Sequence, residues 1–269
     1  MRSVASIYDE NPEREWKRLE KAPYQSLEFS VTMDRLARHL PGKGRVLDVG
    51  GGPGRYTVEL CRRGYQVVLL DVSRGCLDLA VEKIRAEPAE VRERLLDTVV
   101  GDVRDLSAID SDSFDAVLCL DPLSYLDEPA KRARGLTELM NAATPGGLVC
   151  VSVRGYLAVL RHLLRHFQDK LGKPYFTDLL RTGNAPVNGV PVHFFRSEEI
   201  RELAEAAGLE TVEMAGCEGL STGYEEETNA LAQYKEAWDR WLSLVIETAS
   251  DASVVDGAGH ILYIGRKPT

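Results

Sequence analysis

Four glycines fall among the five residues 50–54, straight after the apolar run Val46–Val49. Glycine accepts φ > 0 and lets the backbone come within contact distance of a ligand, at a cost in chain entropy. The loop therefore reads as a cradle of N–H groups, and its spacing narrows what it holds. Asp48-x-Gly50-x-Gly52-x-Gly54 is an acid followed by glycines two apart. A dinucleotide-binding loop, G-x-G-x-x-G, would need glycine where Arg55 stands, and a phosphate loop would need Gly-Lys-Ser/Thr. The spacing speaks for a ligand without a pyrophosphate. Two further acids stand at comparable places downstream: Asp71 closes the apolar run 66–71 and Asp102 closes 97–102. A carboxylate offers its oxygens to neighbouring donors, although one aspartate at a strand end is equally a helix N-cap. Together with the loop, Asp48, Asp71 and Asp102 form a candidate binding set.

For these groups to converge, the chain must set them along one edge of a sheet. Apolar runs at 45–50, 66–71, 97–102, 114–120, 147–153, 209–215 and 260–266 alternate with helical periodicity at about 54–63, 74–95, 128–142, 155–169, 197–207 and 227–248. Continuous Val, Leu and Ile runs separated by helices predict a doubly wound α/β fold, a seven-stranded and mainly parallel sheet covered on both faces. Ligands of such folds lie beyond the C-terminal ends of the strands. Residues 1–40 precede the repeat and read as a helical N-terminal cap, broken near Pro23, on a domain spanning 41–269. Residues 170–193 are rich in proline and glycine without a clear period, and read as a lid-like insertion after strand five.

Composition removes several classes of function. With 42 acidic residues against 33 basic, a net charge of -9, there is no broad positive field for nucleic acid. Cys61, Cys76, Cys119, Cys150 and Cys217 are scattered without a C-x-x-C pair and read as small buried residues in a reducing compartment. No apolar run has membrane length, and the N-terminus lacks the apolar centre of a signal peptide. A cytoplasmic protein with neither membrane nor nucleic acid as partner is expected; the oligomeric state stays open.

The pattern Asp48-x-Gly50-x-Gly52-x-Gly54, followed in order by Asp71 and by "GDVRDL" (101–106), resembles the motifs of the class I S-adenosylmethionine-dependent methyltransferases. The resemblance implies S-adenosyl-L-methionine as cofactor, held by Gly50, Gly52 and Gly54. It implies that Asp71, with Val72 beside it, accepts from both ribose hydroxyls. Asp102 would accept from the adenine amine while Val103 flanks the ring and Leu120 borders the cofactor. Asp48 would either lie near the cofactor's amino group or hold the glycine loop through backbone amides. The closing run "HILYIGRKP" resembles the family's last strand, which runs antiparallel between strands five and six. "YDENPEREWKRLEK", "LDPLSYL", "HFFRSEEIRELAEAAGLETVEM" and "GHILYIGRKP" resemble a narrower group of small bacterial and archaeal methyltransferases over nearly the whole length. That group commonly has Gly-Pro-Leu-Tyr-His-Leu after strand four. Here Asp121 replaces the glycine, and Ser124 and Tyr125 stand where Tyr and His would be, so no histidine base carries over.

A sulfonium methyl is already activated, so its transfer requires alignment of the nucleophile, exclusion of water and, for some acceptors, removal of one proton. The segment after strand four adjoins the methyl group in this fold, which makes Asp121 and Tyr125 catalytic candidates; Asp121-Pro122 is also an ordinary turn opener. His193, between the insertion and "FFRSEE", is the candidate base with an ordinary pKa near 6.5, or else a packed, hydrogen-bonded histidine. Tyr8, Tyr24, Arg154 and Phe194 are candidates for the pocket wall, Arg154 as a receiver of a substrate carboxylate. No His, Cys or Asp pair has ligand spacing beside the expected pocket, so no metal is expected. The expected activity is methyl transfer to an O or N acceptor on a small molecule. The alternatives are a macromolecular acceptor, RNA or protein, and a non-catalytic cofactor-binding regulator.

Overall fold

Residues 3–269, the side chain of Tyr175 apart, are described by a computed structural model. The chain opens with α1 (Val4–Glu10), α2 (Pro12–Trp16) and α3 (Pro23–His39). It continues through β1 (Arg45–Val49), α4 (Arg55–Arg62), β2 (Gln66–Asp71), α5 (Arg74–Arg85), α6 (Ala89–Arg92) and β3 (Leu95–Val100). Next come β4 (Phe114–Leu120), α7 (Pro129–Ala142), β5 (Ala143–Arg154), α8 (Tyr156–His166), α9 (Pro174–Thr182), β6 (Asn184–Val187) and β7 (Val190–His193). The last elements are α10 (Ser197–Ala206), β8 (Glu210–Gly216), α11 (Glu225–Leu231), α12 (Lys235–Thr248), α13 (Ala252–Gly257) and β9 (His260–Arg266). Proline opens α2, α3, α7 and α9, where its missing N–H has no helical partner to lose. Ser73 caps α5 by accepting from the Cys76 N–H.

The main sheet runs β3-β2-β1-β4-β5-β9-β8. Its first five strands are parallel, and β9 lies antiparallel to both β5 and β8, the doubly wound seven-stranded fold that the sequence predicts. Successive strand residues face opposite sides, so the apolar runs feed two cores. Leu47 and Val49, Val117 and Cys119, Val149 and Val151, Ile261 and Tyr263 pack with Leu136 and Leu139 of α7 and Ile200 of α10. Val46, Ala116 and Leu118, Leu148 and Cys150, Leu262 and Ile264 pack with α3, α4 and Val245 of α12. All five cysteines are free and buried. Among the described residues no helix is long and apolar enough to cross a membrane.

Several sequence expectations need correction. Helix α3 does not belong to a cap: Leu27, Val31 and Leu36 are fully buried in the second core, which Leu19 also joins and against which Trp16 packs. The single helix expected at 74–95 is interrupted at Pro88, which has no N–H to donate, and the one at 227–248 is split into α11 and α12. The insertion 170–193 is not irregular. It holds α9 and the β6–β7 hairpin, whose turn residues Asn188 (φ 51) and Gly189 (φ 83) have the left-handed backbone of a tight two-residue loop. Leu179 of α9, Ala185, Val190 and Val192 of the hairpin and Phe194 share a small core with Tyr156 and Leu163 of α8, against which Ile7 of α1 and Tyr125 also pack. Helices α1, α8 and α9 and the hairpin thus form one roof.

Candidate active site

Beyond Val49 the chain turns through left-handed conformations, φ 69 at Gly50 and 56 at Gly52, which L side chains resist. A Cβ on Gly50 would lie 2.1 Å from Pro122 Cγ, so the loop touches the segment after β4. A Cβ on Gly52 would meet nothing nearer than Glu15 Cγ at 3.9 Å, leaving this side of the loop as an open cradle. Gly54 opens α4, packs against Ala80 and does not line the cavity. Arg55, at the place a dinucleotide loop would reserve for glycine, lies over the rings of Trp16 and Phe29 and pairs with Glu20, tying the N-terminal segment to the loop.

The loop borders a cavity of about 1420 Å³ that also takes in Asp48, Asp71, Val72, Asp102, Val103 and Leu120. Single-ligand pockets run to roughly 300–1,000 Å³, so this volume admits a second molecule beside the first. Asp71 accepts from the Gly52 N–H (2.8 Å) through Oδ2 and from the Ser73 N–H (2.8 Å) through Oδ1, and burial pushes its pKa up. Each oxygen keeps a further lone pair for a hydroxyl donor. Asp48 accepts from Thr57 Oγ1 at 2.7 Å through Oδ2, while its buried Oδ1 has no partner among the described residues, and burial raises its pKa to about 6. Asp102 is gripped by Arg104, whose Nε donates at 2.8 Å and Nη2 at 2.5 Å, which holds the carboxyl below its ordinary range. An open cradle, an orphaned buried acceptor and a carboxylate with spare lone pairs fit S-adenosylmethionine, with its cationic amino group and ribose diol.

Tyr8, Tyr24, Asp121, Tyr125, Arg154 and Phe194 line the same cavity. Asp121 has φ 83, which accounts for glycine at this place in the group the sequence resembles; aspartate is among the few side chains that tolerate such a backbone. Arg154 donates to Asp121 through Nη2 (2.6 Å) and Nε (3.0 Å), and also to the Tyr125 hydroxyl at 2.5 Å. That leaves the guanidinium engaged rather than waiting for a substrate carboxylate. The Tyr125 hydroxyl in turn meets that of Tyr8 at 2.7 Å, joining α1 to the segment after β4. Asp9 fixes the other side of α1, accepting from Ser73 Oγ (2.6 Å) and the Gly75 N–H (2.9 Å) at the start of α5.

The histidine singled out from sequence is not among those that line the cavity, which are His162, His166 and His260. His193 is 2 % exposed, its Nδ1 lies 2.7 Å from Asn184 Oδ1, its Nε2 lies 2.7 Å from Glu199 Oε1, and it does not line the cavity. It fastens the hairpin to α10. His260, the first residue of β9, does line it. Strand β9 runs antiparallel, with Arg154 opposite His260, so its first residue arrives at the edge where the parallel strands end. His260 Nδ1 stands 2.5 Å from Glu218 Oε1 and 3.5 Å from Glu28 Oε2. These three place one ligand-type atom each within 4.8 Å of one another, a grouping that sequence spacing did not disclose. Their charges already satisfy one another: Arg18 grips both oxygens of Glu28 at 2.6 and 3.0 Å, and Glu218 Oε2 accepts the His260 backbone N–H at 2.8 Å. The grouping is an ion-paired cluster of side chains.

A family described as Methyltransferase domain matches residues 46–147. The Ubiquinone biosynthesis O-methyltransferase of Alkalilimnicola ehrlichii is 30% identical over 188 residues, 69% of this chain and 69% of that protein. The Magnesium-protoporphyrin O-methyltransferase of Rhodobacter capsulatus is 34% identical over 148 residues, 51% of this chain and 62% of that protein. A SAM-dependent methyltransferase from Methanosarcina mazei has the same fold, with a TM-score of 0.60 at 18% identity over 87% of this chain and 97% of that one.

Proposed function

Because this chain belongs to the class I S-adenosylmethionine-dependent methyltransferases, we propose that it methylates an oxygen on a small molecule held beside the cofactor. The observation that carries the reading is the cavity of about 1420 Å³, which joins the glycine loop, Asp71 and Asp102 to a separate wall of Tyr8, Tyr24, Tyr125, Arg154 and Phe194. The O-methyltransferases among its relatives support oxygen over nitrogen. When bound, the cofactor supplies an electrophilic methyl on a sulfonium. The chain's part is to place and dry the acceptor. In this reading Gly52, Asp48, Asp71 and Asp102 hold the cofactor. The Asp121–Arg154 pair sets the position of the Tyr125 hydroxyl, and the Tyr8–Tyr125 contact draws α1 over the cavity.

The test is transfer of a labelled methyl group from S-adenosylmethionine into fractionated cell extract. Label in the small-molecule fraction, stable to base, is expected for an ether. Label confined to RNA or to protein would move the acceptor to a macromolecule. Binding of the cofactor without transfer to any fraction would favour a regulator.

A further inference from the structure

We propose that the Glu218–His260 pair at the head of β9 is the proton acceptor for a phenol-type hydroxyl on the methyl acceptor, in a subsite walled by Thr222, Gln25 and Tyr24. The inference rests on the methyl-transfer reading above and assigns the group that completes it. Glu218 receives both the ring Nδ1 and the backbone N–H of His260, which fixes the imidazole on its carboxylate side. The ring's hydrogen bond and ion pairs among the described residues all run through Nδ1, and His260 lines the cavity. A second observation points to a ligand at this end. Thr222 is only 7 % exposed and its Oγ1 has no partner among the described residues; Gln25 Oε1 is likewise buried and unpaired among them, and both residues line the cavity. Buried polar atoms left so are costly unless something completes them. Two unpaired polar atoms on residues that line the same cavity as His260 suit an acceptor molecule bearing several hydroxyls.

The charges around the ring select the hydroxyl. Burial opposes the imidazolium, but Glu28 on α3, Glu218 beyond β8 and Asp121 beyond β4 outweigh it and carry the His260 pKa to about 9. Arg18 stands behind Glu28 and Arg154 behind Asp121, so neither carboxylate is bare. A base near 9 is matched to a phenol, whose pKa lies at about 10 as in tyrosine, whereas an aliphatic alcohol would hold its proton far too tightly. In the reaction the acceptor's oxygen forms the O–CH3 bond and its proton passes to Nε2. The carbon–sulfur bond breaks with its electron pair left on sulfur, and one positive charge moves from sulfonium to imidazole. Glu218 pairs with that charge through Nδ1.

The experiment uses protein labelled with 13C-histidine, saturated with S-adenosylhomocysteine, with catechol as the probe. The His260 signal, assigned by its loss in His260→Gln, should titrate near pH 9, drop by about one pH unit or more in Glu218→Gln or, should that variant not fold, in Glu218→Asp, and shift when catechol is added. Thr222→Val should weaken catechol binding about threefold or more, as for one lost hydrogen bond. Labelled-methyl turnover of catechol should fall about a hundredfold or more in His260→Gln, with unchanged affinity for S-adenosylhomocysteine, and the rise in kcat toward pH 9 should vanish. A chelator should leave the wild-type rate as it was. The proposal is overturned if catechol leaves the His260 signal unmoved, if neither Glu218 variant shifts its titration, if His260→Gln keeps the wild-type rate and pH profile, or if chelation abolishes activity. Failure of the methyl-transfer reading looks different: the wild type, even with S-adenosylmethionine bound, would then transfer label to no small molecule of the extract.

Discussion

Replacing Asp71 by alanine separates the folding role of this carboxylate from its binding role. In the folded chain it accepts from the Gly52 and Ser73 N–H groups, each at 2.8 Å. Ser73 is fully buried, so its N–H would lose its only acceptor, at about 1–3 kcal/mol. Gly52 borders the cavity and can turn to water instead, at little cost. The folding penalty is therefore about 1–3 kcal/mol, which for a domain of this size lowers Tm by roughly 2–12 °C. The remaining lone pairs of the carboxylate are free for the ribose diol. Charge-assisted hydrogen bonds contribute about 1.5–3 kcal/mol each. Loss of one raises Kd about tenfold to a hundredfold, and of both, up to about ten-thousandfold. Calorimetric titration with S-adenosylmethionine and with S-adenosylhomocysteine, at a temperature well below the mutant's Tm, reads the binding change apart from the folding change. The two ligands share the ribose, so both affinities should fall by the same factor. A folded Asp71→Ala protein that binds either ligand as tightly as the wild type would refute the assignment of Asp71 to the ribose.

Three further outcomes are expected. The folded-state pKa of Asp48 is raised from 3.8 to about 6, so its contribution to stability is fully present below about pH 3.8 and is lost as pH rises through 6; the full difference is roughly 3 kcal/mol, and denaturant melts of Asp48→Asn without ligand should lack that decline. Tyr125→Phe removes the hydroxyl shared by Tyr8 and Arg154, and hydrogen exchange in α1 should speed up about fivefold, for about 1 kcal/mol lost; unchanged exchange would mean that Asp9 alone holds α1 down. His193→Ala should cost about 2 kcal/mol of stability, since the Asn184 and Glu199 side chains each lose one partner and keep Asp127 and Arg132 respectively, yet leave kcat of the folded protein within about twofold; a large loss of kcat would restore His193 to the chemistry.

Reading along the chain was enough for whatever depends on neighbours in sequence. Strand period, glycine spacing and the acids at strand ends are local features, and they placed the sheet, the open loop and the cavity wall from Asp48 to Asp121. The Asn188-Gly189 turn was not read, because the prolines around it disguised the hairpin. The burial of α3 was not read either, because its apolar stripe looks the same whether it meets a sheet or roofs a pocket. Nor could the histidines be sorted. His193 and His260 both stand beside strand residues, and what separates them is where the strands go: β7 turns its histidine into a contact with α10, while antiparallel β9 delivers His260 to the cavity opposite Arg154. The cluster of Glu28, Glu218 and His260 brings together α3, the segment after β8 and the start of β9. Each member alone is an ordinary titratable residue, and its partners, and the opposite charges that hold it ionised against burial, are assembled only when those distant segments pack together.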